Sequence, residues 1–520
     1  MLTLTPTQIE DALDYIEDYG KAENAATGSL IDANANITQK TLSTLETELY
    51  KPLTACLNRA LVKEKLRTIF GEEAAIAYEE DITHHYIYVH DETSLKPYCA
   101  SISLYPFLLE GTKSMGGVSG APKNLQSFCG AFVNLVYQIA SNFAGAVATV
   151  EFLHYFDYFA RKTYGTDYLT THKKEIDQEL QGVVYALNQP ASARGDQSVF
   201  WNISIFDRPY LTAMFGDFYY PDGTTVHFDS TMALQRHFMA WFRKERKREL
   251  LTFPVVTASL LTTDKGFADE DFKRLCVNEM TKGHSFFLYM SDTVDSLASC
   301  CRLRNALQDN TFSYTLGAGG ITTGSAQVIT LNINRIIQDA IERGSQESTG
   351  DIDWTITLKR IITRVHRYLV ATKAVYQNLI DAGLLPAYTA GYMDIDKQYL
   401  TLGLNGVVEA AEYLGIKTSV NDEYLRFLKE ILSLFSTLNK TAGRTYGARF
   451  NTEFVPGESL GVKNARWDKR DRYFSPRDCY NSYFYRVEDD SLTILDKFKL
   501  HGKPYIEHLT GGSALHMNLE

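Results

Sequence analysis

Apolar positions recur at helical spacing after Thr38, with Leu42, Leu45, Leu49 and Leu53 in step, and predict a helix that runs toward Phe70. Pro52 is expected to kink or divide it, because proline removes an amide donor and clashes with the preceding turn. The first 30 residues predict one short acidic helix and then a loose Gly/Ala/Ser stretch ending near Ser29. Residues 82–90 alternate and are rich in β-formers, which predicts a strand ending at Asp91. Helical patterning returns over 123–160, where the density of Ala, Phe and Gly suits close packing in a core or a dimer face. Residues 188–195 read as a polar loop, and 328–333 as a short strand leading into a helix near Asn334. Ser419 and Asp422 form an S-x-x-D start for a helix over 423–438, with Leu425, Leu428, Ile431, Leu432 and Phe435 on one face. Strands and helices alternate throughout, so the class is α/β with a largely parallel sheet. No repeat or long linker divides the chain, and one large domain is the simplest organisation.

Composition narrows the function. A net charge of −11 argues against a general nucleic-acid binder, which needs clustered Lys and Arg, yet leaves room for a local nucleotide pocket. The seven cysteines include no CxxC pair, so a thiolate zinc site within these residues is not expected. No apolar run approaches the roughly 18 residues of a membrane helix, and the first residues lack a signal-peptide pattern. The expectation is a cytoplasmic protein in a reducing compartment, with no membrane partner.

Chemistry concentrates at Ser299-Cys300-Cys301-Arg302-Leu303-Arg304. Neighbouring cysteines make a strained disulfide and gain nothing as packing, whereas Arg302 and Arg304 could lower a thiol pKa or meet an anion. Cys99, after His90-Asp91-Glu92, is of interest only if the fold brings it to that loop. His84 and His90 alternate onto one strand face and His85 onto the other, which favours structural histidines over a metal site. The run from Gly317 to Ser325 permits close backbone approach but matches neither a phosphate-loop lysine motif nor a dinucleotide fingerprint. The end of the chain, through Gly511-Gly512-Ser513, stays apolar almost to Glu520, as either a short ordered terminus or an interrupted domain would.

Together these segments resemble the anaerobic, class III ribonucleoside-triphosphate reductases of the glycyl-radical superfamily. Asp32-Ala33-Asn34-Ala35-Asn36 resembles the family's N-terminal start, and Tyr86-Ile87-Tyr88-Val89-His90-Asp91 its "IYIHD" strand, with Cys99 at the matching cysteine. Ser299-Cys300-Cys301-Arg302-Leu303, Gly324-Ser325 and Thr330-Leu331-Asn332-Ile333-Asn334-Arg335 look like the radical-cysteine loop and the strand after it. Residues 491–520 resemble the last barrel segment.

The resemblance implies a ten-stranded α/β barrel, two antiparallel halves of five parallel strands, with a central finger loop carrying the radical cysteine. It implies an N-terminal helical extension over 1–30 and a catalytic barrel over 31–520. Cys301 becomes the thiyl, Cys300 a bystander or relay, and Cys99 the second active-site thiol. Substrate binding falls to Asn332 and to Gly511, Gly512 and Ser513, with phosphates on helix N-termini near those last three. The implied partners are a ribonucleoside triphosphate, dNTP or ATP effectors, a radical-SAM activating enzyme and a second copy of the chain, with the 123–160 region a candidate dimer surface.

Three departures accompany the resemblance. The family's four-cysteine zinc module and its Arg-x-x-Gly-Tyr radical loop do not occur here, so zinc and the glycyl radical are expected on a missing or separate C-terminal segment. Nothing resembles the ATP-binding cone that starts many members. Residues 316–326 lack the asparagine common in formate users, which leaves a thiol protein open beside formate as reductant. The alternative is a non-catalytic nucleotide-binding or regulatory barrel of the same fold. A third reading, a glycyl-radical enzyme for a small carbonyl compound, is disfavoured by the Asp32 and His90-Asp91…Cys99 segments.

Overall fold

The computed structural model describes residues 4–25, 27–30, 39–191, 197–292, 296–299, 303–306, 322–347, 353–454, 459–513 and 515. Cys300, Cys301 and the Asp32–Asn36 motif lie outside them. The strands, in chain order, are β1 (Ile87–Val89), β2 (Cys99–Ser101), β3 (Val147–Ala148), β4 (Trp201–Phe206), β5 (Val255–Thr263), β6 (Gly266–Phe267), β7 (Phe287–Ser291), β8 (Ser296–Ser299), β9 (Leu303–Ala306), β10 (Thr323–Asn332), β11 (Tyr399–Asn405) and β12 (Arg449–Phe454). Ten of them share one mixed sheet that hydrogen bonds do not close, and β8 pairs with β9 in an antiparallel ribbon of its own. The chain forms two compact units: residues 1–95, 326–377 and 399–520, and residues 96–325 and 378–398. Strand β10 contributes residues to both.

In the first unit β11 and β12 are parallel, and β1 is antiparallel to the C-terminal half of β10. The helix Leu42–Phe70 continues through Pro52, so of the expected kink or division the division does not occur. Residues 82–90 are also not one strand. Ile82 and Thr83 close the helix Glu72–Thr83, and only Ile87–Val89 is β. The helix wins because Ala74, Ala75, Tyr78 and Asp81 are buried on one face, and Asp81 accepts hydrogen bonds from Tyr368 (2.6 Å) and Arg364 (3.0 Å). His85, at φ 54°, makes the break. Strand β10 and the helix from Ile333 follow the expected pattern, with the strand longer than 328–333. The helix Asp422–Tyr446 buries Leu428, Ile431, Leu432 and Phe435 as expected, but Asn421 caps it, accepting from the Tyr424 amide at 2.8 Å.

In the second unit β2, β3, β4, β5 and β7 are successive parallel neighbours, with β6 antiparallel on β5. The 123–160 stretch holds two helices, Leu125–Ala140 and Phe152–Tyr164, with β3 between them. Small residues at 144–148 let this segment join the sheet: Ala100 N–H donates to the Ala146 carbonyl and Ile102 N–H to that of Ala148, both at 3.0 Å. The outer face of β4 carries Trp201, whose indole donates to Thr149 (2.8 Å) and whose ring meets Phe152 edge-on at 5.2 Å. From the first helix, Phe128 stacks on Phe152 and Phe132 packs against it at a tilt. Each such ring buries a large apolar area, and this aromatic layer anchors both helices to the sheet.

Two buried titratable groups beside that layer give an opposed pH dependence. Burial holds the His154 imidazole down at about 3 and pushes the Glu151 carboxyl up to about 8. His154 stability is lost as pH falls from about 6.5 toward 3, because only the unfolded chain takes the proton. Glu151 stability is present below about pH 4.5 and is lost as pH rises through 8. Between pH 5 and 6.5 each slope amounts to roughly 2 kcal/mol, and the two cancel. Urea midpoints should therefore diverge: Glu151→Gln steepens the loss on acidification, and His154→Phe makes stability fall as pH rises.

Candidate active site

Cys99 opens β2 and is fully buried. Antiparallel pairing sets Ser325 of β10 opposite it, and the Ser325 amide donates to Cys99 Sγ at 3.4 Å. Gln398 Nε2 donates to the Cys99 carbonyl at 2.9 Å, while Gln398 Oε1 accepts from the Tyr388 hydroxyl at 2.6 Å. Cys99 is thus held at its thiol by the Ser325 amide and at its carbonyl by Gln398. Gly324 makes the approach possible, since a Cβ there would lie 2.2 Å from the Cys99 carbonyl oxygen. Within a strand pattern such an isolated glycine marks close backbone contact, the close approach that the glycine run permits. Gln398, almost three hundred residues from its partner, had no sequence signal.

Side chains alternate along each strand, so the strand registers define the face that Cys99 shares. It carries Ser101 on β2, Asn202 and Ser204 on β4, Thr257 and Ser259 on β5, Tyr289 on β7, and Thr323 and Ser325 on β10. No residue on this face of these strands bears a formal charge. Asn202 Nδ2 donates to Thr257 Oγ1 (3.0 Å) and to the Val255 carbonyl (3.1 Å). The Oγ atoms of Ser101, Ser204, Ser259 and the Oγ1 of Thr323 are buried with no hydrogen-bond partner among the described residues. Such a wall can hold a neutral polar ligand beside a thiol.

In the first unit Gly511, Gly512 and Ser513 run alongside β12. The Gly511 amide donates to the Thr452 carbonyl (2.9 Å) and the Phe454 amide to that of Gly512 (3.2 Å). A Cβ at Gly511 would meet Glu453, the Thr452 carbonyl and the Asn451 amide at 2.9–3.0 Å, so only glycine fits. Among the described residues no helix begins at 511–513. Ser513 Oγ lies 3.3 Å from His501 Nδ1. Asn451, fully buried, has neither amide atom hydrogen-bonded among the described residues.

Asn332, at the end of β10, belongs to a buried network that sequence reasoning missed. Asp468 accepts from Asn332 Nδ2 (3.1 Å), Asn334 Nδ2 (3.0 Å), Arg335 Nε (2.7 Å) and the Tyr480 hydroxyl (2.6 Å). The Asn332 Oδ1 accepts from the Arg335 amide at 3.3 Å. His90 Nε2 meets Thr330 Oγ1 at 2.8 Å, across the β1–β10 pairing. Of the other cysteines, burial raises the thiols of Cys129 and Cys276, the latter to about 12, which makes both poor nucleophiles. Among the described residues no three His, Cys, Asp or Glu side chains cluster so as to hold a metal, and no helix is long and apolar enough to cross a membrane.

Comparison with known proteins adds to this geometry. No curated protein sequence matches the chain. Solved structures do. The anaerobic ribonucleotide reductase from Thermotoga maritima with citrate in the active site is 27% identical, with a TM-score of 0.83 over 98% of this chain and 89% of that one. Another anaerobic ribonucleotide reductase is 29% identical, with a TM-score of 0.84 over 98% of this chain and 79% of its own. The Thermotoga maritima protein in complex with dATP and CTP is 27% identical, with a TM-score of 0.82 over the whole of this chain and 87% of that one. The fold is therefore that of the ribonucleotide reductase barrel. The family profile for anaerobic ribonucleoside-triphosphate reductase matches residues 48–520, and the chain belongs to that family.

Proposed function

We propose that this chain reduces ribonucleoside triphosphates to 2′-deoxyribonucleoside triphosphates by thiyl-radical chemistry. The observation that carries the proposal is Cys99, a buried thiol on an uncharged polar face, in a chain of this family. Cys301 gives its hydrogen atom to a glycyl radical, so a glycine C–H forms as the S–H breaks. The Cys301 thiyl takes the 3′ hydrogen atom from the ribose. The 2′ hydroxyl then leaves as water with a proton, and Cys99 supplies a hydrogen atom to the opposite ribose face. Formate gives a hydrogen atom back to Cys99 and its second electron to the 3′ carbonyl as it leaves as CO2 (a thiol protein would supply the same two electrons on becoming a disulfide). Cys301 then returns the 3′ hydrogen and recovers its own from the glycine. Cys300 is the neighbour or relay of Cys301.

The glycyl radical resides on a C-terminal segment, of this protein or of a separate polypeptide, and a radical-SAM activase installs it. Zinc belongs to that segment. The described residues offer it no site, and no step above runs through it. The dATP and CTP of the Thermotoga maritima complex support nucleotide effector and substrate sites here, and a homodimer follows the family pattern. Substrate binding is assigned, by the resemblance to the family, to Gly511, Gly512 and Ser513 and to Asn332.

The test is anaerobic activation of the protein with the radical-bearing segment and activase, followed by EPR and product analysis. A glycyl-radical doublet with deoxynucleotide formation, lost in Cys301→Ala while the doublet persists, is the expected result. Nucleotide binding without product in a fully radical-loaded complex would instead identify a regulatory barrel. Consumption of formate per product separates formate from a thiol protein as reductant.

A further inference from the structure

We propose that Ser101 and Thr323 form a ribose-hydroxyl subsite that makes the enzyme prefer its ribonucleotide over its own 2′-deoxy product. The inference rests on the function proposed above and names residues for it that the family comparison does not.

Ser101 and Thr323 are direct cross-strand partners on β2 and β10, immediately beside the Cys99–Ser325 partners. Paired positions in a sheet bring side chains about 5 Å apart, and two residues along a strand span roughly 7 Å. The two hydroxyls and the thiol therefore share one face, close enough for the hydroxyls of a single ribose to reach them. Both side chains are at most 1% exposed, and neither hydroxyl has a partner among the described residues. Their neighbours differ: the Ser325 amide is bonded to Cys99, and Asn202 is bonded to Thr257.

A buried hydroxyl without a partner costs stability that Ala or Val at the same position would avoid. Two adjacent ones beside the reacting thiol indicate a ligand that completes them. The face carries no charge, so the ligand portion is a neutral polyol rather than a phosphate. Ser204 and Ser259 are also unpartnered, but β4 and β5 lie two and three strands beyond β2, about 10–15 Å away. That exceeds the reach of a ribose bound at Cys99. A site built to bond a hydroxyl rejects the analogue that lacks it, because its own polar groups are then left unpaired. Loss of the 2′ hydroxyl during turnover would thus weaken binding at the moment release is needed.

Equilibrium binding to the unactivated full-length protein, with effector held saturating, measures this without turnover. Wild type should bind the ribonucleotide at least about tenfold tighter than its 2′-deoxy counterpart. The Ser101→Ala/Thr323→Val double variant should lose most of that preference, with product affinity changed less than about twofold and an unfolding midpoint equal or higher. Ser101→Thr should retain the preference. Equal affinities in wild type, or a double variant that weakens both nucleotides in parallel or unfolds earlier, would overturn the subsite. Because binding is read before activation, a failure of catalysis in the radical-loaded enzyme remains a separate result.

Discussion

Cys99→Ser should lower deoxynucleotide formation by at least about 10³-fold, ~4 kcal/mol of barrier, in a protein that still folds and still carries its glycyl radical. Serine is nearly isosteric, and its oxygen can accept the Ser325 amide bond that Cys99 Sγ accepts at 3.4 Å. Gln398 binds the Cys99 carbonyl rather than its side chain, so that bond survives as well. What disappears is a weak S–H bond able to give up a hydrogen atom. Product assay and EPR on the same sample check the expectation. Undiminished product would remove Cys99 from the chemistry, and a lost fold would be visible as a lowered unfolding midpoint.

The largest stability effect is expected at Asp468. Its carboxylate is fully buried and accepts four hydrogen bonds, one from the Arg335 guanidinium, itself 2% exposed. Removing one partner of a buried pair leaves an uncompensated charge and costs about 3–5 kcal/mol. Asp468→Ala should reach that range, moderated because Asp471 still meets Arg335 at 2.9 Å. Asp468→Asn should cost less, since it keeps the volume and part of the bonding. Urea unfolding with an unchanged slope and a lowered midpoint is the signature, and equal midpoints for both variants and wild type would contradict the network's role.

Much of this arrangement was legible in the sequence where a local pattern coincided with burial. The 328–333 strand, the helix after it and the leucine-rich face of Asp422–Tyr446 followed from periodicity alone. Cys99 was recognised only through its resemblance to a family motif, since a lone cysteine has no periodic signal. Residues 82–86 misled because Ile82, Thr83 and Tyr86 have β propensity, while the preceding alanines and buried Asp81 committed the turn to a helix. Gln398 and Asp468 were invisible for a different reason. Cys99 on one side, and Asn332, Asn334 and Arg335 on the other, lie far along the chain from them, and nothing local to either residue distinguishes a hub from a solvated polar side chain.

The uncharged wall around Cys99 also bears on how reactive intermediates are contained. A hydrogen atom carries no net charge, so its transfer needs no ion to stabilise it, and a neutral wall neither speeds nor slows it through a field. Heterolytic escape routes are different. Cations and anions formed by proton loss or premature bond cleavage would meet no counter-ion from Ser101, Asn202, Ser204, Thr257 or Ser259, and in a low-dielectric setting that is costly. The same wall that offers hydroxyls to a sugar thus suits hydrogen-atom transfer, and leaves the one heterolytic step, loss of water from C2′, to draw its proton from outside these side chains.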